Sequence, residues 1–363
     1  MVNGISPQLT VVVLAFVIGA LFGAVAQRTR FCTMGAIADI VTLGDWRRMR
    51  VWLLAIGIAV VGSSALHVSG QIDLGKSIYR APNYTWLSYL VGGLSFGFGM
   101  VLASGCGART LVRLGAGSLK ALIVLLVLGI VAYITLRGIL GVFRVRVLES
   151  VVLHLATGQD LPALLGGVVS PRLSLAVSVL LIGGGALLFA CWGGNRLSAE
   201  QMLGGILIGL LVVFGWYVSG HLGHLIEDPE TLQEAFVATN SGRMESLTFV
   251  APVAYTLEWL MWWSDSSRTL TFGIASSIGV VVGSACQAIL AGSFRWEGFS
   301  NLEDTAHHLL GAALMGFGGV VAMGCTVGQG ISGLSTLSCG SLLTFLAIIG
   351  GARLALGYQY RRA

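Results

Sequence analysis

The chain has 363 residues; 55% are hydrophobic and only 10% charged, against about 25% charged in soluble domains. Beside 52 glycines there are only 6 prolines, which excludes a disordered Pro/Gly chain, and a net charge of +5 spread over loops excludes nucleic acid as a partner. Such a chain belongs in a bilayer, where glycine lets helices approach backbone to backbone. The expected fold class is an all-α integral membrane protein.

A helix needs about 20 apolar residues to cross a bilayer. Candidate spans in chain order are 9–26, 51–69, 86–105, 119–140, 173–191, 202–219, 249–264, 271–291, 305–324 and 341–358. Several are short, 249–264 above all, so about eight to ten transmembrane helices are expected, with eight or nine the safer count. No Lys or Arg precedes the first run and no small-residue cleavage site follows it, so it reads as a retained span. The apolar segments 31–43 and 148–156 are too brief to cross and are candidate half-helices or interfacial helices.

The basic cluster Arg28, Arg30, Arg47, Arg48 and Arg50 argues for a cytoplasmic side after the first span, and Arg361 and Arg362 argue the same for the C-terminus. Arginines serving an anion path would distort that count, and orientation stays open. The interval 225–246, with Glu227, Asp228, Pro229, Glu230, Glu234, Asn240 and Glu245, is the longest hydrophilic one. It divides a single membrane domain, 1–363, into halves of about 1–224 and 247–363, joined by a polar connecting segment. Each half carries one copy of a motif. Gly97-Phe-Gly-Met-Val-Leu-Ala-Ser-Gly-Cys106 and Gly316-Phe-Gly-Gly-Val-Val-Ala-Met-Gly-Cys325 lie 219 positions apart and agree at seven of ten positions. A weaker echo pairs Ile18-Gly19-x-x-x-Gly23-x-x-x-Gln27 with Ile278-Gly279-x-x-x-Gly283-x-x-x-Gln287. Apolar segments interrupted at corresponding places in two halves point to a transport site.

Gly105 and Gly324 remove side-chain bulk where each helix breaks. A helix that restarts there offers free N–H groups and partial positive charge to a wet cavity, which suits an anion. Thr326 and Gln329 follow the second break; Arg109 and Arg113, one turn apart, follow the first. A thiol in such apolar surroundings keeps its proton, so Cys106 and Cys325 would not repel an anion, and soft sulfur suits a sulfur- or selenium-containing one. A third thiol, Cys32 in Gln27-Arg28-Thr29-Arg30-Phe31-Cys32, again follows arginine.

These three motifs together resemble the YeeE/YedE family of sulfur-compound transporters over essentially the whole chain. The resemblance implies a multi-pass bacterial inner-membrane protein with an hourglass-shaped helical body that takes up thiosulfate. It also implies that Cys32, Cys106 and Cys325 line the constriction and pass the ion by transient S–H···S contacts without being modified. A TusA-like cytoplasmic sulfur-carrier protein is the implied partner. The first motif in that family often reads Gly-Gly-Cys, where this chain has Ser104-Gly105-Cys106 and, in the second copy, Met323-Gly324-Cys325.

The expected transport path is therefore Cys32, Cys106, Cys325, Gly105, Gly324, Arg109, Thr326, Gln329 and Arg30, with no catalytic residue, metal or cofactor. Alternatives are a membrane thiol–disulfide redox protein, which the lack of CxxC disfavours, and a transporter of a selenium compound or a thiophilic metal. There is no nucleotide-binding P-loop. Cys191 and Cys286 read as small buried hydrophobes and Cys339 as structural. The six histidines read as loop or interface residues. Asp39 and Glu258 sit in apolar surroundings as functional candidates or local arginine partners, and Trp259, Trp262 and Trp263 read as an aromatic belt.

Overall fold

The computed structural model describes residues 6–155, 158–166, 170–192, 197–227, 232–265, 267–299 and 301–361. Residues 156, 228–230 and 362, named above, lie outside them. The longer helices are α1 (Pro7–Thr29), α2 (Thr33–Leu43), α3 (Arg47–Val68), α4 (Trp86–Leu102), α5 (Gly107–Gly115) and α6 (Leu119–Arg137). They continue with α7 (Pro171–Cys191), α8 (Ala199–Leu222), α9 (Ala251–Met261), α10 (Phe272–Leu290), α11 (Leu302–Val321), a short α12 over 326–335, and α13 (Cys339–Tyr360). Among the described residues the paired strands are two residues long, 83–84 against 153–154 and 224–225 against 235–236, with three isolated bridges besides.

Among the described residues eight segments are long and apolar enough to cross a membrane, α1–α2 and α4–α5 each counting as one. The protein is an all-α, multi-pass membrane protein. Helix starts follow local chemistry. Ser6 caps α1 ahead of Pro7, Ser198 and Gln201 form a capping box on α8, and Asn301 accepts the Asp304 N–H at 2.7 Å to start α11. The α11 helix begins with Glu303, Asp304, His307 and His308 and is not among the eight, although it packs between α4 and α6.

The centre is built from pairs that touch reciprocally. Helix α1 lies along α10, and a Cβ at Gly19 would sit 2.0 Å from the Ser276 carbonyl while one at Gly279 would sit 2.3 Å from that of Phe16. Helix α4 lies along α11 in the same way: Cβ atoms at Gly99 and Gly311 would each fall 2.6 Å from the other's carbonyl oxygen. The remaining neighbours exchange roles, α4 packing on α13 as α11 packs on α6. Backbones this close gain dispersion contact that lipid tails cannot supply.

Several expectations are corrected. The span expected at 249–264 is the 11-residue α9, too short to cross. No half-helix forms over 148–155; a π-turn ends at Leu148 and the chain enters a hairpin. Cys191 and Cys286 are exposed on helix surfaces, because an apolar run reads alike whether it faces protein or lipid. Arg50 is buried, its guanidinium donating to the Ala190 carbonyl at 2.9 and 2.8 Å, so it is no loop marker of topology. The interval 225–246 is polar only in part: Met244, Glu245 and Ser246 are buried and lead into buried 247–250. Asp39 and Glu258 each pair with an arginine, Arg48 and Arg268, at 3.1 Å.

The close α1–α10 contact predicts that Gly19→Val lowers the melting temperature in detergent, since overpacking costs about 1–3 kcal/mol or more against backbone. Gly185→Ala, where an added Cβ meets nothing within 4 Å, should melt at or above the wild-type value. Equal melting of the two variants would contradict this packing.

Candidate functional site: three thiols at helix restarts

Each of the three motif thiols follows the same backbone event. Helices α1, α4 and α11 end on a residue in the left-handed region: Arg30 (φ 53°), Ser104 (φ 55°) and Met323 (φ 56°). The next N–H folds back five residues, Phe31 to Ala26 (3.1 Å), Gly105 to Met100 (2.8 Å) and Gly324 to Gly319 (2.8 Å). This is the Schellman stop, which satisfies the last carbonyls internally. The residue after it is the cysteine, and each cysteine begins the following helix, α2, α5 or α12. Sulfur serves as the cap in two of them: Cys32 Sγ accepts the Gly35 N–H and Cys325 Sγ the Gly328 N–H, both at 3.4 Å.

The restarts come together. Cys32 and Cys106 line one small cavity of about 10 Å³ with Phe22, Phe31, Thr33, Trp52 and Arg109. Val327, two residues beyond Cys325, closes its far side, and Cys106 is within electrostatic reach of both other thiols. That volume holds about one water. Three donors around it are buried without a partner: the Trp52 Nε1–H, the Thr33 hydroxyl and Arg109 Nη1. Stacking of Phe31 on Trp52, centroids 4.5 Å apart, fixes the indole.

Cys325 is fully buried, with Thr248 Oγ1 4.0 Å from its sulfur. Thr248 belongs to the buried 244–250 segment, which Ser332 holds against α12 by donating to the Leu247 carbonyl at 2.7 Å. On this side a cavity of about 290 Å³ reaches Met323, Gly324, Thr248, Glu245, Tyr255 and Arg144. A second of about 200 Å³ shares Asn240 and Tyr255 with it and adds Arg137 and Arg268. Arg109, Arg30 and Arg48 gather by Cys32 instead.

Among the residues expected on the path, the structure groups Cys32, Cys106 and Arg109 around one cavity, with Gly105 directly beneath the Arg109 side chain. Cys325, Gly324, Thr326 and Gln329 form the other cluster; the Gln329 amide donates to the Ala322 carbonyl, while its Oε1 and the Thr326 hydroxyl are buried without partners. Arg30 is exposed and contributes its left-handed backbone to the helix stop. Arg113 is tied to Glu297 at 3.3 Å and bonds the Ser104 carbonyl. Sequence reasoning missed Thr33, Trp52 and Thr248. Thr33 adjoins Cys32 and was in reach of the motif reading, but Trp52 and Thr248 arrive from distant segments with no local signal.

A family profile described as sulphur transport matches residues 28–354. The chain belongs to this sulphur-transport family. It is 28% identical over 329 residues to the thiosulfate transporter TsuA of Escherichia coli K12, covering 86% of this chain and 84% of that protein. It is 25% identical over 345 residues to the thiosulfate transporter TsuA of Spirochaeta thermophila, covering 92% and 94%. A shorter match, 34% over 96 residues, links it to the probable transporter YedE of Escherichia coli K12, covering 26% of this chain and 21% of that one. The family and these relatives are transporters rather than enzymes, in keeping with the resemblance carried by the three motifs.

Left-handed backbone at a non-glycine residue costs about 1–2 kcal/mol. Ser104→Val, β-branched at φ 55°, should therefore lower the melting temperature, and Ser104→Gly should hold or raise it. A valine variant as stable as the glycine one would refute the helix-stop geometry.

Proposed function

We propose that this protein takes up a small reduced-sulfur anion, thiosulfate first, across the bacterial inner membrane past Cys32, Cys106 and Cys325. The observation that carries this reading is the meeting of three thiol-started helices beside unpartnered donors. Each helix start carries roughly half a positive charge, so three starts with Arg109 sum to about +2.5, close to what a dianion needs. Neutral S–H groups leave that balance intact and present soft atoms to the terminal sulfur. The Trp52, Thr33 and Arg109 donors each cost about 1–3 kcal/mol while unpaired and would be satisfied by the anion's oxygens. Gly105 and Gly324 keep the restarts slim, and Thr326 and Gln329 offer polar atoms beside Cys325. At about 10 Å³ the neck is closed, so passage requires it to widen.

A dianion entering against 100 mV, inside negative, meets about 4–5 kcal/mol of opposing potential. Removal by a cytoplasmic acceptor, such as a TusA-like sulfur carrier, would draw the flow inward. Arg30 beside Cys32 and Arg137 beyond Cys325 would help concentrate the anion at the two mouths, where Arg144 and Arg268 are already paired with Glu149 and Glu258. The duplicated motif then reads as two repeat halves meeting at the neck.

Growth on thiosulfate as sole sulfur source, with uptake of the radiolabelled ion, tests this. Cys106→Ser and Cys325→Ser should abolish both. Trp52→Phe, which keeps the stack and loses one N–H, should raise the Michaelis constant about tenfold, the worth of one hydrogen bond to a charged group. Unimpaired uptake by both serine variants would overturn the relay, and loss of an oxidoreductase activity in them would favour the redox reading.

A further inference from the structure

Glu245 is a buried carboxylic acid that the path described so far does not use. It is 7% exposed and lines the 290 Å³ cavity together with Thr248, Met323 and Gly324, the residues that adjoin Cys325. Its neighbours are mostly neutral. The carboxyl accepts from the Ser241 hydroxyl and the Asn240 backbone N–H, and Ser219 bonds only its main chain. The titratable groups facing it are Tyr79 from the loop before α4 and Tyr255 from α9. Arg144 and Glu149 also line the cavity, but they pair with each other at 3.1 Å, and Arg137 lines the neighbouring 200 Å³ cavity instead. An ionised carboxylate here has no cation of its own.

We propose that Glu245 is the proton-bearing gate of this vestibule: protonated, it donates a hydrogen bond to the oxyanion approaching Cys325, and ionised, it repels that anion. Uptake is then limited to the protonated form of the protein. Burial supports the assignment by pushing the Glu245 carboxyl up to about 8, so that it keeps its proton at neutral pH and loses it on the alkaline side. A surface glutamate, with its ordinary value near 4.3, would be ionised throughout. The proposal rests on the transport reading above and adds a group that sets its pH dependence.

The test is uptake of radiolabelled thiosulfate into proteoliposomes holding the full chain, with equal pH on both sides, between pH 6.5 and 9.5. Wild-type uptake should fall about tenfold from pH 7 to pH 9, the drop in protonated fraction for a group titrating near 8. Glu245→Gln, neutral and able to donate at every pH, should change by less than about twofold over the same range. If the glutamine variant does not accumulate as folded protein, Glu245→Met fills the same volume without a charge and should give a weaker but equally flat profile. A wild-type profile that is flat, or variants that fall in parallel with it, overturns the gate while leaving transport intact. No wild-type uptake at pH 7 overturns the transport reading, and the gate with it.

Discussion

A helix that stops and restarts has to dispose of its last carbonyls and of the first N–H groups of whatever follows. The protein meets this demand in one way at three places. Arg30, Ser104 and Met323 turn left-handed, the next N–H closes back onto the helix, and the carbonyls are satisfied without leaving the turn. Only the N–H groups of the restarting helix remain, and a cysteine stands at the head of each. The thiols are thus placed by backbone closure rather than by side-chain packing, which fixes them to the ends of three rigid elements.

Packing then decides where those ends go. The close glycine contacts of α1 with α10 and of α4 with α11 bring the helix stops toward the centre of the molecule. The α1–α10 echo has a spacing of 260 positions and the cysteine motifs one of 219, so the interval from echo to motif is longer on the N-terminal side, where α2 and α3 lie. Cys32, Thr33 and Trp52 all lie in or beside that interval, and with Arg109 they make up most of the polar lining of the small cavity. The two duplicated thiols lie beside it and behind it. The two cavities differ in chemistry: thiol and guanidinium line the small one, and threonine and carboxyl line the larger one beside Gly324.

Much of this was legible from the residues. The class of fold followed from composition, because 10% charge cannot cover a soluble surface. The Gly-Cys repeats were visible as strings, and they marked two of the three helix stops. The left-handed positions were not visible, since Arg, Ser and Met carry no turn signal where glycine would. Cys191 and Cys286 misled because lipid-facing and protein-facing apolar surfaces have the same composition. Glu245 was hidden within a stretch whose other acidic residues read as a hydrophilic connection, although the buried segment 244–250 packs against the helix that Cys325 begins. Long-range packing, which no local pattern encodes, separated that carboxyl from its neighbours in sequence.

The most direct test of the central claim uses a heavier cargo. Crystals of the protein grown with selenosulfate, whose terminal selenium replaces sulfur, would locate that atom by its anomalous scattering. A selenium peak in contact with the sulfur of Cys106 or Cys325, with the oxygens toward Trp52 and Arg109, is the predicted result. A peak held elsewhere in the protein, with Cys32 and Cys106 still enclosing a space the size of one water, would contradict it.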